Sequence, residues 1–337
     1  MKPLSYSLIA AALACGLASA QTTAYTTPVG YVSLGNTAAA TDNVAADTDV
    51  YLSLPLLKTA VYQGAVSSVS GSDLTLSGTP ALGDLLTNPH IIQVENGPKS
   101  GLIGLITAVA GSVLTIETQT GDSISGITGS VSIRPAWTLA DLSTQNVLPN
   151  LTQVLGFTQS SNDQNPAADL GFEYFGGSWS DIFGTSGAPD PNKVVLYPGE
   201  AFILRTPPAS GIADLMLSGE VPTANQRVIV QNDYAGVGED NLVGFKSPVP
   251  ELLADCGLGF TAGDQLIGFV NADAGINKAG VYAFEWSGTA WTDIFGTWGD
   301  PATFELTPGE GYVYRRSYAA PAGDVVWTDE QTYIPSL

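Results

Sequence analysis

The sequence predicts an all-β protein: two related sandwich- or barrel-like units, with a six-stranded β-barrel module inserted in the first. Three observations predict it. Trp179-Ser180-Asp181-Ile182-Phe183-Gly184-Thr185 returns as Trp291-Thr292-Asp293-Ile294-Phe295-Gly296-Thr297, 112 residues later. Gly64, Val69, Gly71, Ser72, Leu74 and Thr75 return 40 residues later as Gly104, Val109, Gly111, Ser112, Leu114 and Thr115. The composition joins 38 Gly and 44% hydrophobic residues to only 13% charged residues, the balance of strands and turns rather than of a disordered acidic chain.

The chain opens on an export signal. Lys2 supplies a positive start, Leu8 to Leu17 a short apolar run, and Ala18-Ser19-Ala20 a small-residue cleavage site. That pattern over residues 1–20 reads as a secretory signal peptide, too short for a membrane span. Cleavage after Ala20 removes Cys15 and leaves Cys256 as the only thiol, so no internal disulfide staples the fold. The expected location is extracellular, cell surface or periplasm.

Unit A is expected over residues 21–60 plus 136–222. Val29 to Leu34 and Val50 to Leu54 alternate as strands do. Residues 61–135 form the inserted module. Each of its copies reads strand, tight turn, strand, followed by a third strand at His90 to Val94 or Ser130 to Arg134. Six such strands can close and leave no exposed edge. Thr138 caps a short helix that begins at Leu139-Ala140-Asp141, with Leu253-Ala254-Asp255 as its counterpart. The Trp179 hairpin, the Pro198-Gly199 turn and the Phe202 to Leu204 and Leu215 to Leu217 strands complete the unit. Unit B spans residues 226–332 and repeats unit A without the insertion. Short strands with frequent turn signals favour sandwiches.

The order Thr27-Pro28-Val29-Gly30-Tyr31-Val32, then Gly64-Ala65-Val66 with the Val69 to Leu76 hairpin, then Ser100-Gly101-Leu102-Ile103, then Pro198-Gly199-Glu200-Ala201-Phe202-Ile203-Leu204-Arg205, resembles an uncharacterised family of secreted proteins from verrucomicrobial bacteria. The resemblance covers roughly residues 26–222. It implies export and a β-rich fold, and no functional residues.

A formal net charge of −21 disfavours nucleic acid and anionic membrane surfaces as partners and suits divalent cations such as Ca²⁺. Asn271-Ala272-Asp273-Ala274-Gly275-Ile276-Asn277 places oxygen ligands at Asn271, Asp273 and Asn277, like the first half of a Ca²⁺ loop. Trp298 and Trp286 are candidates for an aromatic glycan platform. Trp298 has no Trp at the matching place of unit A. Trp179 and Trp291 are expected in equivalent cores. Asp181 and Asp293 recur inside the repeated hairpin. Glu200, Arg205 and Glu220 recur as Glu310, Arg315 and Glu330, and are expected to form Arg–Glu pairs between neighbouring strands. A glycosidase would instead hold two carboxyls roughly 5 to 9 Å apart in a cleft. The single histidine, His90, follows Asn88-Pro89 and opens a strand, and no Gly-x-Ser-x-Gly, Walker or dinucleotide motif occurs. The sequence therefore reads as a non-catalytic exported structural or adhesive protein, self-associating, with a glycan-binding protein as the alternative and a carboxylate glycan hydrolase as a remote second.

Overall fold

The computed structural model describes residues 28–33, 44–157, 164–213, 215–233, 235–331 and 333. The export signal expected over residues 1–20 lies outside the described residues. The fold is all-β. In unit A an antiparallel five-stranded sheet runs Ser178–Asp181, Leu170–Phe175, Thr152–Gly156, Ala201–Arg205 and Asp49–Ser53. Facing it are the two-stranded ribbon of Val29–Ser33 with Met216–Glu220 and the short pair of Trp137–Thr138 with Val195–Leu196. Alternation puts Val50, Leu52, Phe202 and Leu204 on one face of the sheet, where they meet Leu217 and Trp137 in a common core. The helix Leu139–Gln145 closes that core with Leu139 and Leu142, and the Thr138 and Asp141 side chains form a capping box at its start.

Unit B repeats the arrangement. Its five-stranded sheet runs Trp291–Asp293, Tyr282–Trp286, Gln265–Gly268, Gly311–Arg315 and Asp240–Gly244, and its ribbon pairs Gln226–Val230 with Val325–Asp329. The expected helix counterpart at Leu253-Ala254-Asp255 is instead a single turn. The N–H groups of Asp255 and Cys256 both donate to the Leu252 carbonyl, and Gly257 at φ 76° ends the turn.

Residues Tyr62–Ser70, Asp73–Leu76, Val113–Thr118, Ile103–Ala110, His90–Val94 and Ser130–Pro135 close a six-stranded barrel in that spatial order. Leu74, Ile92, Ile106, Leu114, Val131 and Ile133 fill it. Both hairpin turns carry glycine in the left-handed region, Gly71 at φ 60° and Gly111 at φ 65°.

The two units face each other across a second apolar layer containing Tyr51, Leu242, Phe269 and Val313. The ring of Tyr51 stacks on Phe269 with centroids 3.6 Å apart. The contact is self-complementary. Leu52 of unit A bridges Glu310 of unit B, and Val243, at the matching place in unit B, bridges Glu200 of unit A. Likewise Ser53 N–H donates to the Gly309 carbonyl at 2.9 Å, and Gly244 N–H to the Gly199 carbonyl at 2.8 Å. Exchange of like contacts in both directions is the signature of a two-fold relation, here within one chain. The barrel is tied to both units. Arg134 pairs with Glu220 of unit A, both nearly buried, and Asp122 accepts from Arg227 of unit B at 2.7 and 3.1 Å.

Candidate functional site

Trp179 and Trp291 sit in matching surroundings. Each is buried, at 3% and 8% exposure. Each lies opposite an aromatic ring on the neighbouring strand, Tyr174 or Trp286, with centroids 5.4 Å apart in both cases. Trp286 is thereby a wall of the unit B core. Its ring covers Gly259, where a Cβ would come within 2.6 Å. It is not the open platform expected of a glycan ligand.

Asp181 and Asp293 organise the turn that follows each tryptophan. The Asp181 carboxylate accepts from the N–H groups of Phe183 at 3.0 Å, Gly184 at 2.7 Å and Ser186 at 2.9 Å. Asp293 accepts from Phe295 and Gly296, both at 3.0 Å, and from Trp298 at 2.8 Å. The Ser186 hydroxyl and these N–H groups hold the Asp181 carboxyl down at about 2. The Trp298 N–H, followed by its neighbours, lowers Asp293. Trp298 thus takes the structural place of Ser186. Each turn presents two apolar side chains to solvent: Ile182 at 39% and Phe183 at 47% exposure, Ile294 at 42% and Phe295 at 51%.

The repeated Arg residues do not pair with the repeated Glu residues. Arg205 makes a two-pronged bond to Asp49, directly across the sheet, at 2.7 and 2.8 Å. Arg315 binds Asp240 in the same way at 2.6 and 2.8 Å. Both carboxylates are nearly buried, as an ion pair that links strands requires. Glu200 stands five residues before Arg205, on the opposite face of the same strand line, and cannot reach it. Glu310 and Arg315 are separated likewise. Glu220 is taken by Arg134 of the barrel, whereas Glu330 is exposed, since unit B carries no inserted module at that place.

The Asn271 to Asn277 segment connects the two units. The Asn271 amide accepts from Tyr51 N–H at 2.8 Å and donates to the Tyr51 carbonyl at 2.9 Å. The Asn277 side-chain oxygen accepts from Arg205 at 2.9 Å, and its N–H donates to Asp49 at 2.6 Å. Asp273 points into solvent. Two of the three proposed ligand oxygens are therefore occupied by protein donors. Among the described residues no group of three or more His, Cys, Asp or Glu side chains is placed to hold a metal.

Two clefts occupy equivalent places in the two units. The unit A cleft, about 540 Å³, is walled by Phe157, Leu170, Val194, Tyr197 and Glu200 and completed by Gln119 of the barrel. The unit B cleft, about 450 Å³, is walled at the matching positions by Phe269, Tyr282, Phe304, Thr307 and Glu310 and completed by Trp298. The repeated Glu residues are thus cleft residues. Burial pushes the Glu200 carboxyl up to about 7, against the opposing pull of a hydrogen bond from the Gln119 amide. Sequence reasoning missed both clefts, although the odd spacing from Glu200 to Arg205 already separates their faces.

The histidine and the described cysteine are both buried. His90 is buried, with Nδ1 at 2.9 Å from the Asn88 carbonyl and 3.1 Å from that of Leu85. Burial pushes the Cys256 thiol up to about 12, which disfavours the nucleophilic thiolate. No helix among the described residues is long and apolar enough to cross a membrane. Comparison of the chain with protein-family models, with curated proteins and with solved structures finds no match in any of the three.

Proposed function

We propose that this is an exported, non-catalytic structural or adhesive protein that associates with copies of itself at the cell surface or outside the cell. Export rests on the leader-like residues 1–20 and on the resemblance described above. The observation that carries the reading is the pair of apolar tips, Ile182-Phe183 and Ile294-Phe295, half exposed in both units. Each tip is held by a carboxylate that accepts several backbone N–H groups, so docking it costs little conformational entropy. The two-fold relation of the units makes the molecule divalent, and two like patches on one particle build an open chain unless the geometry closes it.

Sedimentation velocity over a concentration series, with and without Ca²⁺, tests this, with electron microscopy of the purified chain alongside. The expected result is growth of larger species with concentration, abolished when Ile182, Phe183, Ile294 and Phe295 are all replaced by Ser. A chain that stays monomeric at the highest concentration, in both conditions, overturns the reading.

A further inference from the structure

The two clefts share a backbone framework and differ in their rings. Unit A has Leu170, Val194 and Ser186 where unit B has Tyr282, Phe304 and Trp298. Rings that the fold itself demanded would recur in both copies, as Trp179 and Trp291 do. These three do not recur, so their presence in unit B needs a local reason.

Trp298 is the open member of the set. Its ring is 44% exposed and rests against Tyr282, with centroids 4.7 Å apart. Tyr282 in turn packs on Phe304 at 5.0 Å. The backbone N–H of Trp298 is fixed to Asp293 at 2.8 Å, so the indole is held as a platform at the cleft mouth. Glu305, exposed on the cleft wall, makes no side-chain hydrogen bond to any described residue. Glu310 and Asp300 add two further carboxylates, and no Lys or Arg lines the cleft.

We infer that the unit B cleft is a binding site for a neutral sugar, a pyranose ring stacked on Trp298 with its hydroxyls donating to Glu305. The acidic walls repel phosphorylated or carboxylated ligands. An organic ammonium ion prefers an aromatic cage with several faces open to it. Here Tyr282 is 4% and Phe269 9% exposed, which leaves Trp298 as the most open face. An open flat apolar surface beside the Glu305 carboxylate instead matches a pyranose, with its C–H face on one side and hydroxyls around the rim. The inference does not rest on self-association, although Trp298 belongs to the same Asp293-held turn as the unit B tip.

Isothermal titration of the full chain with cellohexaose, laminarihexaose, xylohexaose and chitohexaose tests the assignment. At least one is expected to bind, with a change in tryptophan fluorescence. Trp298→Ala should weaken it by about tenfold or more. Trp298→Phe should retain binding and Glu305→Gln should weaken it. Phe183→Ser, in the unit A tip, should leave it unchanged. Because the Trp298 N–H that pins the turn survives substitution, Trp298→Ala is expected to keep the wild-type melting temperature and far-UV spectrum. Silence towards all four saccharides at millimolar concentration overturns the inference. So does undiminished binding by folded Trp298→Ala, or displacement of bound saccharide by tetramethylammonium, which would mark a cation site.

Discussion

Arg205 of unit A donates to the Asn277 side-chain oxygen of unit B at 2.9 Å, while Arg315 of unit B donates to the Asn165 side-chain oxygen of unit A at 2.8 Å. The return contacts match as well. Asn277 N–H reaches Asp49 at 2.6 Å, and Asn165 N–H reaches Asp240 at 2.7 Å. Both asparagines adopt the left-handed backbone, at φ 52° and 56°. Each unit thus completes the other's buried ion pair, and the doubled fold closes on itself.

Removing one arginine strands a buried carboxylate. Arg205→Ala leaves Asp49, 1% exposed, without its cation and should cost about 3–5 kcal/mol in urea unfolding. Arg205→Lys should recover only part of this, because an ammonium cannot make the two-pronged bond.

Truncating Trp179 or Trp291 to Ala should cost about 3–5 kcal/mol each, and the two losses should be similar because the rings fill matching cores. Trp179 also donates its ring N–H to the Ser143 hydroxyl at 3.2 Å, a contact provided by the helix of unit A. Trp179→Phe loses that bond as well as volume. Thermal and urea unfolding of the two Ala variants checks the match.

Much of this was legible in the sequence, and the failures have physical causes. The strands follow the alternation of apolar residues, and the barrel follows the 40-residue repeat. The Thr138 cap and Asp141 lie within one turn and could be read locally. The partners of Arg205 could not, since Asp49 and Asn277 are 156 and 72 residues away. Proximity in sequence favoured Glu200 and Glu220 instead. The parity of a strand excludes Glu200, and the barrel, whose docking no local signal reports, claims Glu220. Asn165 and Asn277 do fall at matching places in the repeat, but dissimilar flanking residues hid the match.

Stability should fall as pH rises from about 4.5 to 7. Glu200 carries a folded-state pKa of about 7, raised by burial above its unfolded value of 4.5. Within that window the folded chain holds a proton that the unfolded chain has released, so the Glu200 contribution is fully present below 4.5 and is lost as pH rises through 7. The loss is on the order of 3 kcal/mol. Glu200→Gln keeps the acceptor for Gln119 and should make this decline shallower, leaving the variant more stable than the parent at pH 8, while Glu239, also raised by burial to about 7, keeps a slope of its own in the same window. Asp329, pushed up to about 8 by burial and then by Glu251, should leave a residual slope. Melting temperature against pH for both chains tests the sign.

Asp181→Ala and Asp293→Ala should release the apolar tips. The amides of Phe183, Gly184 and Ser186 lose their acceptor in the first, and those of Phe295, Gly296 and Trp298 in the second. Hydrogen exchange should quicken at those amides and stay unchanged in the barrel. On the acid side, protonation should have the same effect on the Asp181 turn as pH falls towards about 2.

The reciprocal clamp is tested most directly by two double-mutant cycles read in urea unfolding, one on Arg205→Ala with Asn277→Gly and one on Arg315→Ala with Asn165→Gly. Glycine keeps the left-handed backbone free of strain, so each cycle isolates the side-chain contact. The account predicts a coupling of about 1 kcal/mol or more in each cycle, with the two values within about 0.5 kcal/mol of each other. Zero coupling in either cycle, or a large value in one alone, would contradict it.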